Sequence, residues 1–307
     1  MRVLITGASG MLGRSVLREL SKNQSMTIMG TGYSRISAPL VKLDLLDSEA
    51  VKEIMHSFKP DVLIHCAAER KPDNVDRDPE RAQKLNITST KLLAECCKGL
   101  NTFMVYISTD YVFDGGIHTG VHPPYSCEAK TGPVNEYGLT KLSGEIEVAN
   151  CCEKSLILRV PVLYALDCES LDESASLVVA KSLYSKELIK VDNWGIRFPT
   201  LVDDVSRCIK MILDSIDHVS LDGRIVHFSS PERCTKYELV KMMADCLNVS
   251  SSHISPDNDP PKGAPRPKNT QLDCSATWEL LKIEKFVFTP LQEGITKALE
   301  PFQSSFQ

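Results

Sequence analysis

The fold of this chain is decided by residues 2–13, which read Arg2-Val3-Leu4-Ile5-Thr6-Gly7-Ala8-Ser9-Gly10-Met11-Leu12-Gly13. The apolar run over 2–6 predicts a buried strand, and Leu12, Val16 and Leu20 recur every four residues, which predicts an amphipathic helix over 11–22. The glycines between them permit a tight turn and let a pyrophosphate approach the backbone N–H groups that open the helix. The stretch therefore predicts a dinucleotide-binding turn, although a glycine-rich turn that only packs is the alternative.

Short apolar runs alternate with helical patterns from this turn as far as residue 165. The spacing predicts strands over 2–6, 26–31, 41–43, 61–66, 102–107 and 155–160, separated by helices over 11–22, 48–58, 79–98 and 135–149. Beyond residue 165 it predicts helices near 171–184, 202–214, 237–247, 276–281 and 291–299, and strands near 188–191 and 225–228. The pattern predicts an α/β fold, a Rossmann-type doubly wound parallel sheet with right-handed crossovers. We expect residues 1–165 to form a dinucleotide-binding domain and residues 166–307 a smaller C-terminal α/β lobe, with the chain crossing between them.

Composition excludes several classes of protein. The chain has 307 residues, 40 Asp and Glu against 35 Lys and Arg, 42% hydrophobic residues and 24% charged residues, which are ordinary values for a globular protein. Its net charge of -5 and its lack of long Lys/Arg runs argue against binding to nucleic acid or to a membrane surface. Apolar runs also fall short of the roughly 18 residues that a membrane helix needs.

The cysteines indicate a reducing compartment. Eleven cysteines occur, an odd number, without a C-x-x-C motif, and several lie within apolar periodic segments. No signal peptide is evident after Met1, so we expect reduced thiols in a cytoplasmic protein. His118, His122 and Cys127 lie in a loop rich in Gly and Pro without a second pair of ligands, and we expect no metal site.

The end of the second predicted strand indicates which dinucleotide binds. An NAD site usually carries Asp or Glu there to hold the ribose 2′-hydroxyl, whereas this chain reads Gly32-Tyr33-Ser34-Arg35. A guanidinium pairs well with phosphate and Ser34 adds a hydroxyl, which favours NADP over NAD. An ordinary surface cation at Arg35 is the alternative. Asp44 and Leu45, after the third strand, could bracket the adenine.

A second constellation is typical of hydride-transfer enzymes. Thr109 follows the fifth strand, and Tyr137 and Lys141 lie four apart on one face of the next helix. A nearby Lys cation would lower the pKa of the tyrosine, which could then pass a proton to a carbonyl oxygen that Thr109 also binds. The same spacing recurs at Tyr237 and Lys241, which we interpret as a helix start with Thr235 as its cap.

The residues quoted above resemble the extended short-chain dehydrogenase/reductase superfamily. The resemblance rests on the glycine turn 7–13, on residues 137–141 and most specifically on Ser108-Thr109-Asp110-Tyr111-Val112-Phe113-Asp114-Gly115. The closest enzymatic branch is dTDP-4-dehydrorhamnose reductase. A narrower group, the regulatory beta subunits of methionine adenosyltransferase, is resembled by residues 65–70, 197–200, 263–267, Asn269 and 271–274.

Membership of that group implies NADP as cofactor and attachment to a catalytic subunit that makes S-adenosylmethionine. The positions expected to contact NADP are Gly7, Ser9, Gly10, Met11, Leu12, Tyr33, Ser34, Arg35, Asp44, Leu45, Cys66, Arg70, Tyr137, Lys141 and Leu163. We expect a regulatory subunit without activity of its own, in a hetero-oligomer with the catalytic subunit. The alternative is an NADPH-dependent reductase acting on a nucleotide sugar through Thr109, Tyr137 and Lys141. A third possibility is an NADP sensor without an enzymatic partner.

Overall fold

A sheet of seven parallel strands forms the centre of the protein in this computed structural model, which describes residues 1–263 and 265–306. Ala264, within the 263–267 stretch, and Gln307, at the end of the predicted C-terminal lobe, lie outside the described residues. The strands are β1 Arg2–Thr6, β2 Thr27–Gly32, β3 Val41–Lys42, β4 Val62–His65, β5 Phe103–Thr109, β6 Ser155–Val160, β7 Leu163–Tyr164, β8 Ile189–Asp192, β9 Thr200–Leu201, β10 Arg224–His227 and β11 Ile254–Asp257. The central sheet has the order β3-β2-β1-β4-β5-β6-β10, so the strand order reverses beside β1. In open α/β sheets ligands bind in the crevice at such a reversal.

Helices cover both faces of the sheet. They are α1 Met11–Leu20, α2 Ser48–Phe58, α3 Pro72–Arg77, α4 Pro79–Gln83, α5 Ser89–Leu100, α6 Glu136–Cys151, α7 Val202–Ser215, α8 Lys236–Leu247, α9 Ser275–Leu280 and α10 Leu291–Leu299. Among the described residues, none of the helices has the length and apolar character that crossing a bilayer requires.

The strand sequences lack polar alternation because both faces of the sheet are buried. Val3 and Ile5 of β1 pack into one hydrophobic cluster with α1 and α7, whereas Leu4 packs into a second cluster with α2 and α5. Successive side chains of a strand point to opposite faces, so apolar residues are needed at every position. The predicted α/β fold with a parallel sheet is therefore confirmed.

One predicted helix is confirmed with an irregular turn, and one is wrong in form. The helix expected over 79–98 runs without a gap from Pro79 to Leu100 but contains a π-helical turn, Lys84–Thr88, in which the side chain of Asn86 is hydrogen bonded to Glu69 and Thr140. The helix expected near 171–184 consists instead of two 3₁₀ segments, Leu171–Glu173 and Leu177–Tyr184. Between them the Ser174 hydroxyl accepts the backbone N–H groups of residues 176 and 177, in the way that serine side chains compete with helical bonding.

The C-terminal half contributes to the central sheet. Strand β10 pairs with β6 as the edge strand, and α7 packs against α1 beside it. The remaining C-terminal strands form two separate two-stranded pairs, β8 with β11 and β7 with β9. Each of the eleven cysteines is a free thiol.

Candidate functional site

The glycine-rich turn after β1 is shaped by close approaches that exclude side chains. Gly7 has φ +69°, and a Cβ there would lie 2.7 Å from the backbone nitrogen of Ala67. A Cβ on Gly13 would lie 2.2 Å from the carbonyl oxygen of Gly7. Helix α1 begins at Met11 with Gly10 as its N-cap. Glycine offers no capping side chain, so the first-turn N–H groups of α1 remain available to an anion.

A cavity of about 740 Å³ opens beside this turn, at the carboxyl ends of the strands. Its volume lies within the roughly 300–1,000 Å³ of small-molecule sites. All positions that the sequence selected for cofactor contact line it, and so does Thr109: Gly7, Ser9, Gly10, Met11, Leu12, Tyr33, Ser34, Arg35, Asp44, Leu45, Cys66, Arg70, Tyr137, Lys141 and Leu163. The fold thus brings together residues separated by up to half the chain.

The loop after β2 carries the residues expected to distinguish NADP from NAD. Tyr33 is 51% exposed, and Arg35 extends into the cavity mouth, where its guanidinium forms an ion pair with the Glu173 carboxylate. Arg14 of α1 donates to both oxygens of the same carboxylate, at 3.2 and 3.1 Å. Sequence reasoning missed Arg14 and Glu173, because Glu173 lies far along the chain in a segment that was expected to be helical.

The loop after β4 is held in place by Asn86. Its side chain accepts the N–H of Glu69 at 2.8 Å and donates to the carbonyl oxygen of Glu69 at 3.0 Å. These two bonds fix the segment between Cys66 and Arg70, which forms one wall of the cavity. Burial raises the pKa of Cys66 to about 12, so its thiol is protonated and serves as an apolar wall.

Thr109 and Tyr137 line the same cavity. The Thr109 hydroxyl donates to Asp110 at 3.1 Å, and the Tyr137 ring packs edge-on against Tyr111 at 5.9 Å. Burial raises the pKa of Tyr137 to about 12, and the neighbouring Thr109 hydroxyl offsets this only in part. The phenol is therefore protonated at neutral pH and can donate a proton or a hydrogen bond.

Lys141 does not have the role expected from the sequence, which was to lower the pKa of Tyr137. It is 3% exposed, and its ammonium lies 4.0 Å from the centre of the Tyr106 ring. Burial lowers the pKa of Lys141 to about 7, since the nearby Glu145 compensates only partly. The positive charge that most lowers the pKa of Tyr137 is instead that of Arg70.

The cavity is also lined by residues that the sequence did not assign to the cofactor site or to catalysis. Arg197 lies 5.6 Å from the Tyr111 ring and donates to backbone carbonyl oxygens, and it lines the cavity with Asp110 and Lys236. Asp110 accepts a hydrogen bond from Thr270, and burial raises its pKa to about 6. Arg197, Lys236 and Thr270 come from the C-terminal half and Asp110 from the first half of the chain. The spacing of residues in one sequence does not reveal that the fold brings them together.

The second Tyr-x-x-x-Lys copy is a helix start, as interpreted from the sequence. Thr235 caps α8 in a reciprocal capping box with Glu238. Tyr237 and Lys241 lie within this helix, whereas the neighbouring Lys236 reaches the cavity.

Comparison with known proteins agrees with this architecture. The RmlD substrate binding domain family matches residues 1–304. Methionine adenosyltransferase 2 subunit beta of Xenopus tropicalis is 45% identical over 304 residues, covering 98% of this chain and 88% of that protein, and its Mus musculus counterpart is 43% identical with the same coverage. A crystal structure of dTDP-4-dehydrorhamnose reductase from Bacillus anthracis in complex with NADP superimposes with a TM-score of 0.76 at 26% identity, covering 96% of each chain. The chain belongs to the RmlD substrate binding domain family and, within it, to the group of methionine adenosyltransferase 2 beta subunits.

Proposed function

We propose that the protein is a non-catalytic regulatory subunit of methionine adenosyltransferase, which binds NADP and modulates S-adenosylmethionine synthesis by the catalytic subunit. The observation that carries the proposal is the 45% identity, over 98% of this chain, to a protein named as the beta subunit of that enzyme. The similarity extends over nearly the whole chain and not only over the glycine-rich turn. A shared partner therefore explains it better than a shared fold alone.

The cofactor part of the proposal is supported by the cavity. The Gly7 and Gly13 positions leave space only for backbone, and the start of α1 offers N–H groups to a pyrophosphate. Arg35 at the cavity mouth supplies the cation that a 2′-phosphate requires. NADP, when bound, would supply a nicotinamide capable of hydride transfer.

Size-exclusion chromatography with a methionine adenosyltransferase catalytic subunit tests the partnership. We expect the two proteins to elute together at micromolar concentration and the kinetics of the catalytic subunit to change. A matched control is the Bacillus anthracis dTDP-4-dehydrorhamnose reductase, which shares the fold and should elute separately. Separate elution of the present protein would contradict the proposal.

A second candidate is an NADPH-dependent reductase acting on a nucleotide sugar such as dTDP-4-dehydrorhamnose. It is favoured by the presence of Thr109, Tyr137 and Lys141 in the lining of one cavity. The test is NADPH oxidation in the presence of that sugar, with Tyr137→Phe as the control variant. Our proposal expects no sugar-dependent oxidation. Steady oxidation that disappears in Tyr137→Phe would establish the reductase instead.

A further inference from the structure

The segment that follows β7 reaches back over the glycine-rich turn. The thiol of Cys168 lies 3.6 Å from the sulfur of Met11, at the start of α1. Five residues further on, the Glu173 side chain is only 10% exposed. A carboxylate from the C-terminal half therefore lies beside the part of the cavity proposed to hold the cofactor phosphates.

Glu173 contacts three arginines, which come from three separate parts of the chain. Its carboxylate pairs with Arg35 after β2 and accepts two hydrogen bonds from Arg14 of α1, at 3.2 and 3.1 Å. Its carbonyl oxygen accepts a hydrogen bond from Arg70 after β4. Arg35 and Arg70 both line the cavity, and Arg14 also donates to the carbonyl oxygen of Ser9 in the glycine turn, at 3.1 Å.

A carboxylate and a phosphate offer a guanidinium the same kind of oxygen acceptor. A 2′-phosphate held by Arg35 would stand next to the Glu173 carboxylate, and two anions at that distance repel each other. The ion pair of Arg35 with Glu173 would therefore compete with the binding of a 2′-phosphate by Arg35. The pair is also largely shielded from water on the Glu173 side, which strengthens it relative to an open surface pair.

We propose that Glu173 is a specificity-determining residue that competes with the 2′-phosphate of NADP for Arg35. This inference rests on the proposed binding of NADP. NAD carries a hydroxyl in place of that phosphate, so it leaves the Arg35–Glu173 pair intact. Glu173 thus weakens the binding of NADP but not that of NAD. It therefore reduces the preference for NADP over NAD that Arg35 creates. If the paired form accounts for about 90% of the protein, the apparent Kd for NADP is about tenfold higher than the intrinsic value.

Isothermal titration calorimetry of the full chain and of Glu173→Gln tests the competition. The probes are NADP, NAD, adenosine 2′,5′-bisphosphate and AMP, so that the 2′-phosphate is present in two and absent from two. We expect Glu173→Gln to bind NADP and adenosine 2′,5′-bisphosphate about tenfold more tightly than wild type does. Its affinities for NAD and AMP should be unchanged. The matched control is Glu293→Gln, which makes the same side-chain change in an exposed ion pair with Lys297 of α10, outside the cavity lining. It should change none of the four affinities.

Three results would overturn the inference and leave the proposed function standing. Weaker binding of NADP by Glu173→Gln would mean that Glu173 positions Arg35 for the phosphate. Equal gains for NADP and NAD would indicate a general electrostatic effect, and unchanged affinities would mean that the pair does not compete. If neither protein binds NADP at all, the proposed function fails together with the inference. If wild type binds NADP and Glu173→Gln binds it with the same affinity, the inference about Glu173 fails and the proposed function does not.

A measurement on the wild-type protein covers the case in which the variant does not fold. The backbone N–H of Glu169 donates to the Glu173 carboxylate at 3.0 Å. Displacing that carboxylate removes its acceptor, so hydrogen exchange in peptides that contain Glu169 should be faster with saturating NADP than with saturating NAD. Equal or slower exchange with NADP would contradict the competition.

Discussion

Arg35 is the residue on which the proposed preference for NADP over NAD depends. Replacing it with Asp removes the cation and places a carboxylate near Glu173, so the affinity for a 2′-phosphate should fall. Charged hydrogen bonds contribute about 1.5–3 kcal/mol, which corresponds to roughly a tenfold to hundredfold weaker NADP affinity in Arg35→Asp. NAD affinity should change little, and competitive calorimetry with both dinucleotides measures the ratio.

The control for this prediction is Lys42→Asp, which makes the same charge change at an exposed position of β3. It should leave the NADP to NAD ratio unaltered. An Arg35→Asp protein with wild-type selectivity would show that the preference, if present, arises elsewhere in the cavity.

Lys141 makes the stability of the protein depend on pH. Its pKa falls from 10.5 to about 7 on folding, so between these values the unfolded chain binds a proton that the folded protein does not. The contribution of Lys141 to the free energy of unfolding therefore rises with pH through this window and is constant below it. We expect the difference in unfolding free energy between wild type and Lys141→Met to shift in favour of wild type between about pH 7 and about pH 9.

Urea unfolding at several pH values measures that difference. Lys154→Met serves as the control, because Lys154 is exposed and should give a difference that does not vary with pH. A constant difference for Lys141→Met as well would mean that the Lys141 ammonium keeps its proton in the folded protein.

At the scale of elements, α6 is joined to β6 by a buried ion pair. Arg159 donates to both oxygens of Glu145 at 2.9 and 2.7 Å, and both side chains are at most 4% exposed. Ser108 at the end of β5 donates to the same carboxylate. Glu145→Ala would leave the guanidinium buried without its partner, and we expect a loss of about 3–5 kcal/mol in unfolding free energy.

A second carboxylate on the same helix provides the comparison. Glu147 pairs with Lys91 at 3.3 Å, with 26% and 48% of the two side chains exposed. Exposed pairs contribute about 0–1 kcal/mol, so Glu147→Ala should be nearly neutral in the same denaturation assay. Equal losses for the two variants would show that the buried pair does not tie α6 to the sheet.

The elements of the sheet could be predicted because their signals are local. Strands β1 and β6 and helix α2 have the predicted bounds, since their apolar runs end at residues such as Asp47, which caps α2. The strand pairs β7–β9 and β8–β11 were only partly foreseen. Their two- to four-residue strands are defined by pairing partners far along the chain, which periodicity does not reveal.

The candidate site likewise contains residues that the sequence predicted and residues that it did not. Its glycine turn, Arg35 and the Thr109–Tyr137–Lys141 set carry sequence signals, and the fold places them around one cavity. Glu173, Arg197 and Asn86 were missed because each acts through contacts with distant segments. The pKa of Tyr137 is raised, whereas the sequence predicted that it is lowered. The rise comes from desolvation, which depends on packing that a sequence does not show.

Across the whole molecule, the cavity joins the two halves of the chain. Its lining includes the loops after β1, β2 and β4 as well as Arg197 and Lys236 from beyond β6. The C-terminal half also supplies β10 to the central sheet. NADP bound at residues 7–163 also stabilises the C-terminal half, because its site lies on a sheet to which that half contributes β10.

NADP should therefore stabilise the protein as one unit. At about 100 times its Kd, NADP is expected to raise the free energy of unfolding by about 2.7 kcal/mol, with a single shifted transition. Thermal unfolding followed by both calorimetry and circular dichroism checks this, with Arg35→Asp at the same NADP concentration as the control that should shift less. The shift should also grow with the logarithm of NADP concentration, since only the folded state binds. Two separate transitions, one of them insensitive to NADP, would show that the C-terminal half unfolds independently and that the cavity does not couple it to the sheet.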